Sequence, residues 1–440
     1  MSEIPDAPDS SQTWNHAAAA VTRKGCPGVI RSSPAERASS PAEGASSVGA
    51  RPGGGDRLVF VDVLRVAVIV LVVAFHAAQP YGPTGGDWPI SDPANSELLR
   101  PFFPWGAAFG MGLFFFLVGY FAPKSYDSKG VQEFLQGRWM RIGVPMVLFM
   151  LLVHLPVVYL VESPRPSLGE FVRSLYDSGW QNAYLHLWFL GHVLLYSLAY
   201  AVWRLIARRY SSRQRAPWSP PRHAAIVGFV VVLALITFVV RVWYPIDEWV
   251  PLFFVVAAEP AHLPQYLSLF ALGVAAYRGD WLRRLPTAVG MVWLGVGLVA
   301  SAGYWALLLL APDSAVTAGG GFTWQSLVYS AWESLICAGM VVGLVVLFRV
   351  VFRRTNRVLV AMAAASYAAY IIHFLIVVFL QAGIQGLELP ALVKFGFVTI
   401  LGVLLAFGVG HLSRRVPGLR VILGTAPATP DRAPRREVSP

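Results

Sequence analysis

Three polar side chains stand within one apolar stretch, FVDVLRVAVIVLVVAFHAAQPYG: Asp62, Arg65 and His76. A charge at the centre of such a stretch costs about 2.5 to 3.5 kcal/mol on membrane-insertion scales, so each needs a partner or a task. Arg65 and His76 are eleven residues apart. On an α-helix that is three turns plus about 20° and a rise of about 16 Å, which puts both on one face. Asp62, one turn before Arg65, shares that face. Asp62 and Arg65 either pair to anchor a helix end or begin a polar stripe that leads to His76. His76 is either a histidine hydrogen-bonded to another helix or a general base, and a base must be the neutral imidazole.

A later stretch opens GRWMRIGVPMVLFM and places Arg138 and Arg141 at i and i+3, on one helical face. Two guanidinium forks so spaced could clamp a phosphate-bearing ligand bidentately, or could simply mark the cytoplasmic edge of a span. No Gly-rich nucleotide loop accompanies them. Glu333 in YSAWESLICAGM and His373 in YAAYIIHF are further polar groups in apolar surroundings. Each is read either as a helix-to-helix hydrogen bond or as part of a site.

The elements that must position these residues follow from composition. Of the 440 residues 56% are hydrophobic and only 13% charged, with mean hydropathy +0.56. A soluble chain would carry about 25% charge, so a soluble enzyme is excluded. Ten apolar segments are long enough to cross a bilayer: 58–80, 98–122, 142–162, 184–206, 223–243, 262–277, 287–311, 326–350, 359–384 and 391–413. The sixth is short and follows Glu259, Pro260 and His262, so a tilted or re-entrant helix is an alternative there. The expected fold is an all-α polytopic membrane protein, because lipid leaves open strand edges unpaired. Of the 35 basic residues, 29 fall in the two tails and the alternate loops assigned to one side, which the positive-inside rule makes cytoplasmic for both termini. The net charge of +11 is thus explained by topology, and no nucleic-acid partner is expected. Residues 1–57 and 414–440 read as disordered cytoplasmic tails flanking a membrane domain over 58–413. Two cysteines, Cys26 and Cys337, build neither a disulfide framework nor a zinc site, and no metal is expected.

The Arg65 to His76 spacing, the pair Arg138 and Arg141, and the block GMGLFFFLVGYFAPKSY between them resemble the acyltransferase 3 family of integral membrane acyltransferases. HLWFLGHVLLY with His186, Trp188 and Leu190, LSLFALGVAAYR around Gly273, and SYAAYIIHFLIV with Tyr370 and His373 extend the resemblance over residues 58–413. Within the family the chain looks most like the glucan-succinylating branch. Val118 stands where many members have Ser, and Phe374 follows His373 where Pro is frequent.

The resemblance implies a ten-helix enzyme of the cell inner (plasma) membrane. Such an enzyme moves an acyl group, commonly acetyl or succinyl, from a cytoplasmic acyl-CoA to a hydroxyl of an extracytoplasmic carbohydrate or glycolipid. Acyl-CoA would be a co-substrate, with no tightly bound cofactor. His76 and Arg65 match the family's proposed catalytic motif, to which Asp62 is added by its shared face, and Arg138 with Arg141 match the pair thought to engage the donor. Acyl transfer from a thioester to an alcohol also needs an oxyanion donor, for which the Trp188 indole and the Tyr370 hydroxyl are candidates. The rival reading is a proton-coupled transporter or glycan flippase, since intramembrane Asp, Arg, Glu and His also mark proton pathways. The two halves show no internal repeat that would favour it.

Overall fold

Apolar segments with few charges can satisfy their backbone in lipid only by closing hydrogen bonds within each segment, so the chain is built from helices. The computed structural model describes residues 58–83, 88–161, 166–177, 184–210, 218–252, 256–311, 319–354 and 356–423. The tail 1–57, Cys26 within it, Arg165, Arg213, Arg215 and residues 424–440 lie outside the described residues.

The helices are α1 (Val59–Ala78), α2 (Phe102–Arg138), α3 (Val144–Phe149), α4 (Leu155–Val161), α5 (Leu168–Asp177), α6 (Trp188–Tyr210) and α7 (His223–Trp243). They continue as α8 (Leu263–Gly279), α9 (Trp281–Arg284), α10 (Thr287–Leu310), α11 (Trp324–Val351), α12 (Arg357–Ile384), α13 (Ala391–Ser413) and α14 (Pro417–Ile422). Among the described residues the only sheet is a two-stranded antiparallel ribbon, β1 (Val250–Leu252) and β2 (Val256–Ala258). Helix therefore stands at each of the ten expected segments. Among the described residues eight helical runs are long and apolar enough to cross a bilayer, and one of these, Glu97–Leu160, is 64 residues long and holds the second and third segments. The sixth segment, α8, is 17 residues and falls short of that length.

Three departures from the sequence reading have local causes. Gly130, at φ 77° and ψ 175°, breaks α2 where only glycine is at ease, so helix resumes well before residue 142. The segment after it contains two π-helical turns, Trp139–Gly143 and Met150–His154. Residues 417–422, assigned by the sequence to a disordered tail, form the short α14, which meets α3.

The direction of packing is fixed by glycines at one crossing. A Cβ on Gly119 would lie 2.1 Å from the Phe270 carbonyl oxygen, and one on Gly273 would lie 2.1 Å from that of Phe116. Backbones this close tolerate no side chain, which is the physical content of the two glycine-bearing blocks noted above. Gln265 Nε2 also donates to the Ala108 carbonyl at 2.7 Å, so α8 runs in the same sense as α2. Three intervening spans require that sense. α1 packs against α12 and α13, and the buried apolar core runs between these and α2.

Candidate active site

Pro80 has no N–H and ends α1 just after His76. The His76 carbonyl accepts the Gln79 backbone N–H, and the carbonyls of His76 and Ala77 also accept from another helix, from Gln381 Nε2 at 3.0 and 3.3 Å. The other end of that amide, Oε1, accepts from Trp88 Nε1 at 2.7 Å. Trp88 lies 5.3 Å from His76 between ring centroids, with the planes tilted by 32°. The end of α1 is thereby held between α12 and the connection that leads to α2.

On α12, His373 presents Nε2 to His76 Nδ1 at 3.1 Å. His373 Nδ1 faces the Tyr370 carbonyl at 2.5 Å, and a carbonyl can only accept, so Nδ1 carries the hydrogen and Nε2 is a lone pair. His76 Nδ1 must then donate, and it also faces an acceptor, the Val72 carbonyl, at 2.9 Å. In a neutral imidazole with Nδ1 protonated, Nε2 is the free base. His76 is half-buried, whereas His154, His186 and His373 are buried. A reactive lone pair is thus pre-set on the one histidine of the four that keeps some access.

Two further imidazoles complete the cluster. His186 stacks on Phe374, with centroids 5.0 Å apart, and meets His373 edge-on at 5.1 Å. His186 Nε2 faces the Ile371 carbonyl at 3.0 Å, which leaves Nδ1 unpartnered. His154, 6.0 Å from His186, is buried with neither ring nitrogen hydrogen-bonded. Every neutral imidazole has one donor and one acceptor, so this cluster holds polar capacity that the protein itself leaves unused.

A second polar cluster lies apart from this one. Arg241 from α7 pairs with Glu333 Oε2 from α11, and Glu333 Oε1 is 2.9 Å from His262 Nε2. His262 Nδ1 is 2.8 Å from Glu259, and Glu259 Oε1 accepts the Asp247 backbone N–H at 2.9 Å. Ser330 accepts from Arg241 at 3.3 Å. Burial pushes the Glu259 carboxyl up, but the His262 charge and hydrogen bond beside it leave it below its ordinary value.

The structure sorts the sequence candidates accordingly. His76 and His373 are brought together. Tyr370 is close by, but its hydroxyl donates to the His186 carbonyl and is committed there. Glu333 belongs to the Arg241 network. Trp188 stacks on Tyr266 at 5.5 Å, and Tyr266 stacks in turn on His262 at 5.9 Å, so the indole borders that second cluster. Asp62 and Arg65 form an i,i+3 pair at 3.8 Å, with Arg65 5.8 Å from the Phe121 ring. The helical face between Arg65 and His76 is filled by Ile69 and Val72, both buried, so the stripe is two polar ends and not a continuous path. Arg138 is half-buried, 5.3 Å over Phe134, and Arg141 is exposed. The π turn between them widens the helix and splays the two forks more than α spacing would.

Sequence reasoning passed over His154, Trp88, Gln381 and Arg241. A histidine in MLLVHLP was a visible signal. Gln381, two turns beyond His373 on α12, was a weaker one. Trp88 in a connection carried none.

A bundle of long apolar helices with an imidazole cluster among them defines a multi-pass membrane protein. The chain matches the acyltransferase domain family over residues 58–411, and it belongs to that family, acyltransferase 3. It is therefore a membrane acyltransferase, which sets the transporter reading aside. It is similar to the protein named Glucans biosynthesis protein C of Salmonella typhi, 27% identical over 396 residues, covering 84% of this chain and 94% of that one. The protein of the same name from Escherichia coli O6:K15:H31 (strain 536 / UPEC) is 25% identical over 408 residues, covering 88% of this chain and all of its own length. No solved structure matches the chain.

Proposed function

We propose that this acyltransferase moves an acetyl or succinyl group from cytoplasmic acyl-CoA to a hydroxyl of an extracytoplasmic carbohydrate or glycolipid. It would do so in the inner (plasma) membrane, through ten spans with both termini inside. The observation that carries this is the His76 to His373 contact, which directs a lone pair onto His76 Nε2. That nitrogen takes the proton of the acceptor hydroxyl as its oxygen attacks the thioester carbonyl. The C–S bond then breaks, an ester forms, and the proton passes to the leaving thiolate.

The names of the relatives support a glucan-type acceptor. Arg138 and Arg141 serve the donor's phosphates. The helical run that carries them continues beyond His154, thirteen residues from Arg141 and about 20 Å along the axis, a span an extended thioester arm covers. Arg65 and Asp62 act at the inner end of α1, where their pairing fixes the helix.

Acyl-CoA turnover by purified protein tests the reading. His76→Gln keeps hydrogen-bonding capacity but cannot take a proton, so turnover should collapse at normal abundance; retention of more than about a tenth of wild-type turnover sinks the base assignment. Arg138→Ala should weaken donor affinity about ten- to hundredfold, with Lys rescuing only in part because it lacks the fork. Unchanged affinity in the double Ala variant would make these arginines topological only.

A further inference from the structure

The connection from α1 to α2 does more than join two helices. Its residues 88–96 fold back over the end of α1 and are tethered at four points. Trp88 Nε1 donates to Gln381 at 2.7 Å, Gln385 Nε2 donates to the Ser91 carbonyl at 2.6 Å, and the Ser96 backbone N–H donates to the Tyr81 carbonyl at 2.9 Å. The fourth tether is a buried ion pair, Lys394 Nζ to both Asp92 oxygens at 2.9 and 2.8 Å, with each side chain 1% exposed. Burying two charges is a poor way to gain stability, because desolvation offsets the attraction, but it fixes geometry. A loop that only links helices has no need of that.

What the tethers fix is Trp88. Its indole lies on His76 and edge-on to Phe374, at 5.2 Å, and it remains half-exposed. The other rings against His76 are its neighbour Phe75 and the buried His373. Trp88 is therefore the partly open aromatic surface beside the free nitrogen, on the side where α1 ends and α13 begins. An indole face is electron-rich and suits the C–H-lined face of a sugar ring, while its N–H, committed to Gln381, fixes how that face is presented.

We propose that Trp88 is the acceptor-binding platform of the site, stacking a pyranose ring so that one hydroxyl meets His76, and that Asp92 and Lys394 are the positioning residues that hold it there. This rests on the acyl-transfer reading above and adds the recognition element for the acceptor.

Purified protein in nanodiscs, with succinyl-CoA or acetyl-CoA as donor and a short linear glucose oligosaccharide as acceptor, tests it. Trp88→Ala should raise the acceptor KM about tenfold or more, the scale of one lost contact of about 1.4 kcal/mol, while donor KM moves less than about twofold. Trp88→Phe, which keeps a ring, should recover most of that loss, and Lys394→Met should shift acceptor KM in the same direction but less. Equal movement of both KM values, or a fall in kcat alone, overturns the proposal. Oxidative footprinting of the wild-type protein gives a readout independent of turnover and of mutant folding. The oligosaccharide should protect Trp88 and leave Trp218, exposed in the link between α6 and α7, unprotected. Protection without acyl transfer would sink the acyl-transfer reading and keep the sugar platform. Absence of protection overturns the platform.

Discussion

The two polar clusters are both buried among apolar helices, yet they resolve their burial in opposite ways. Around Glu333, two cations and two carboxylates alternate: Arg241, Glu333, His262, Glu259. Around His76 no carboxylate among the described residues is hydrogen-bonded, and the imidazoles face carbonyls and one another. The first cluster balances charge and locks α7, α11 and the turn before α8 together. The second stays polar without charge, and it leaves nitrogens of His154 and His186 unpartnered. The charged cluster is not wholly satisfied either, since Arg241 Nε has no hydrogen-bond partner, so the contrast between the two lies in the pairing of charge. The same residue type thus stands in two settings: His262 has a carboxylate oxygen against each ring nitrogen, whereas His76 faces a carbonyl and another imidazole, as the proposed base role requires.

The contrast makes predictions, of which the largest concerns His76. His76→Gln should lower turnover about 10² to 10⁴-fold with normal abundance, measured as acyl-CoA consumption by purified protein. The reverse pattern is expected in the other cluster. Arg241→Ala leaves Glu333 and Glu259 with only His262 between them, and the unbalanced buried charge should destabilise the fold by about 3 to 5 kcal/mol, read as lost abundance and a lowered unfolding temperature. If Arg241→Ala protein accumulates normally but is inactive, the charged cluster is catalytic and the contrast collapses. The smallest effect belongs to His373, which acts through His76. His373→Ala should cost one hydrogen bond, about 0.5 to 1.5 kcal/mol, seen as a roughly two- to twelvefold fall in kcat with both KM values kept.

The crossing of α2 and α8 sharpens the structural side of the comparison. Gly273→Ala would push a methyl group into the Phe116 carbonyl and should separate the two helices. Because α8 carries Gln265 and follows His262, the charged cluster should suffer first. Chemical modification of Cys337, buried on α11 one turn beyond Glu333, would report that opening. Reactivity of Cys337 unchanged from wild type would show that the crossing does not support the cluster.

Much of this protein is determined by its sequence alone. Apolar runs of span length, with most of the charge in the links, leave helices as the only lipid-compatible backbone. His76, Arg65 and the pair Arg138 and Arg141 were legible because a polar residue in an apolar run stands out, and because their spacing is local to one helix. Two of those local readings changed: the π turn at Trp139–Gly143 altered how the arginines face, and Ile69 with Val72 interrupted the stripe. What only the tertiary structure decided is which distant polar groups meet. His76 and His373 are 297 residues apart in sequence and 3.1 Å apart in space; Trp88 and Gln381 are separated by 293 residues, and Asp92 and Lys394 by 302. Hydropathy periodicity records which residues face lipid, but every span in a bundle carries the same period, so it does not say which inner face meets which. That pairing is set by close backbone approach at glycines and by hydrogen bonds between helices, and it alone separates the base from the structural ion pairs.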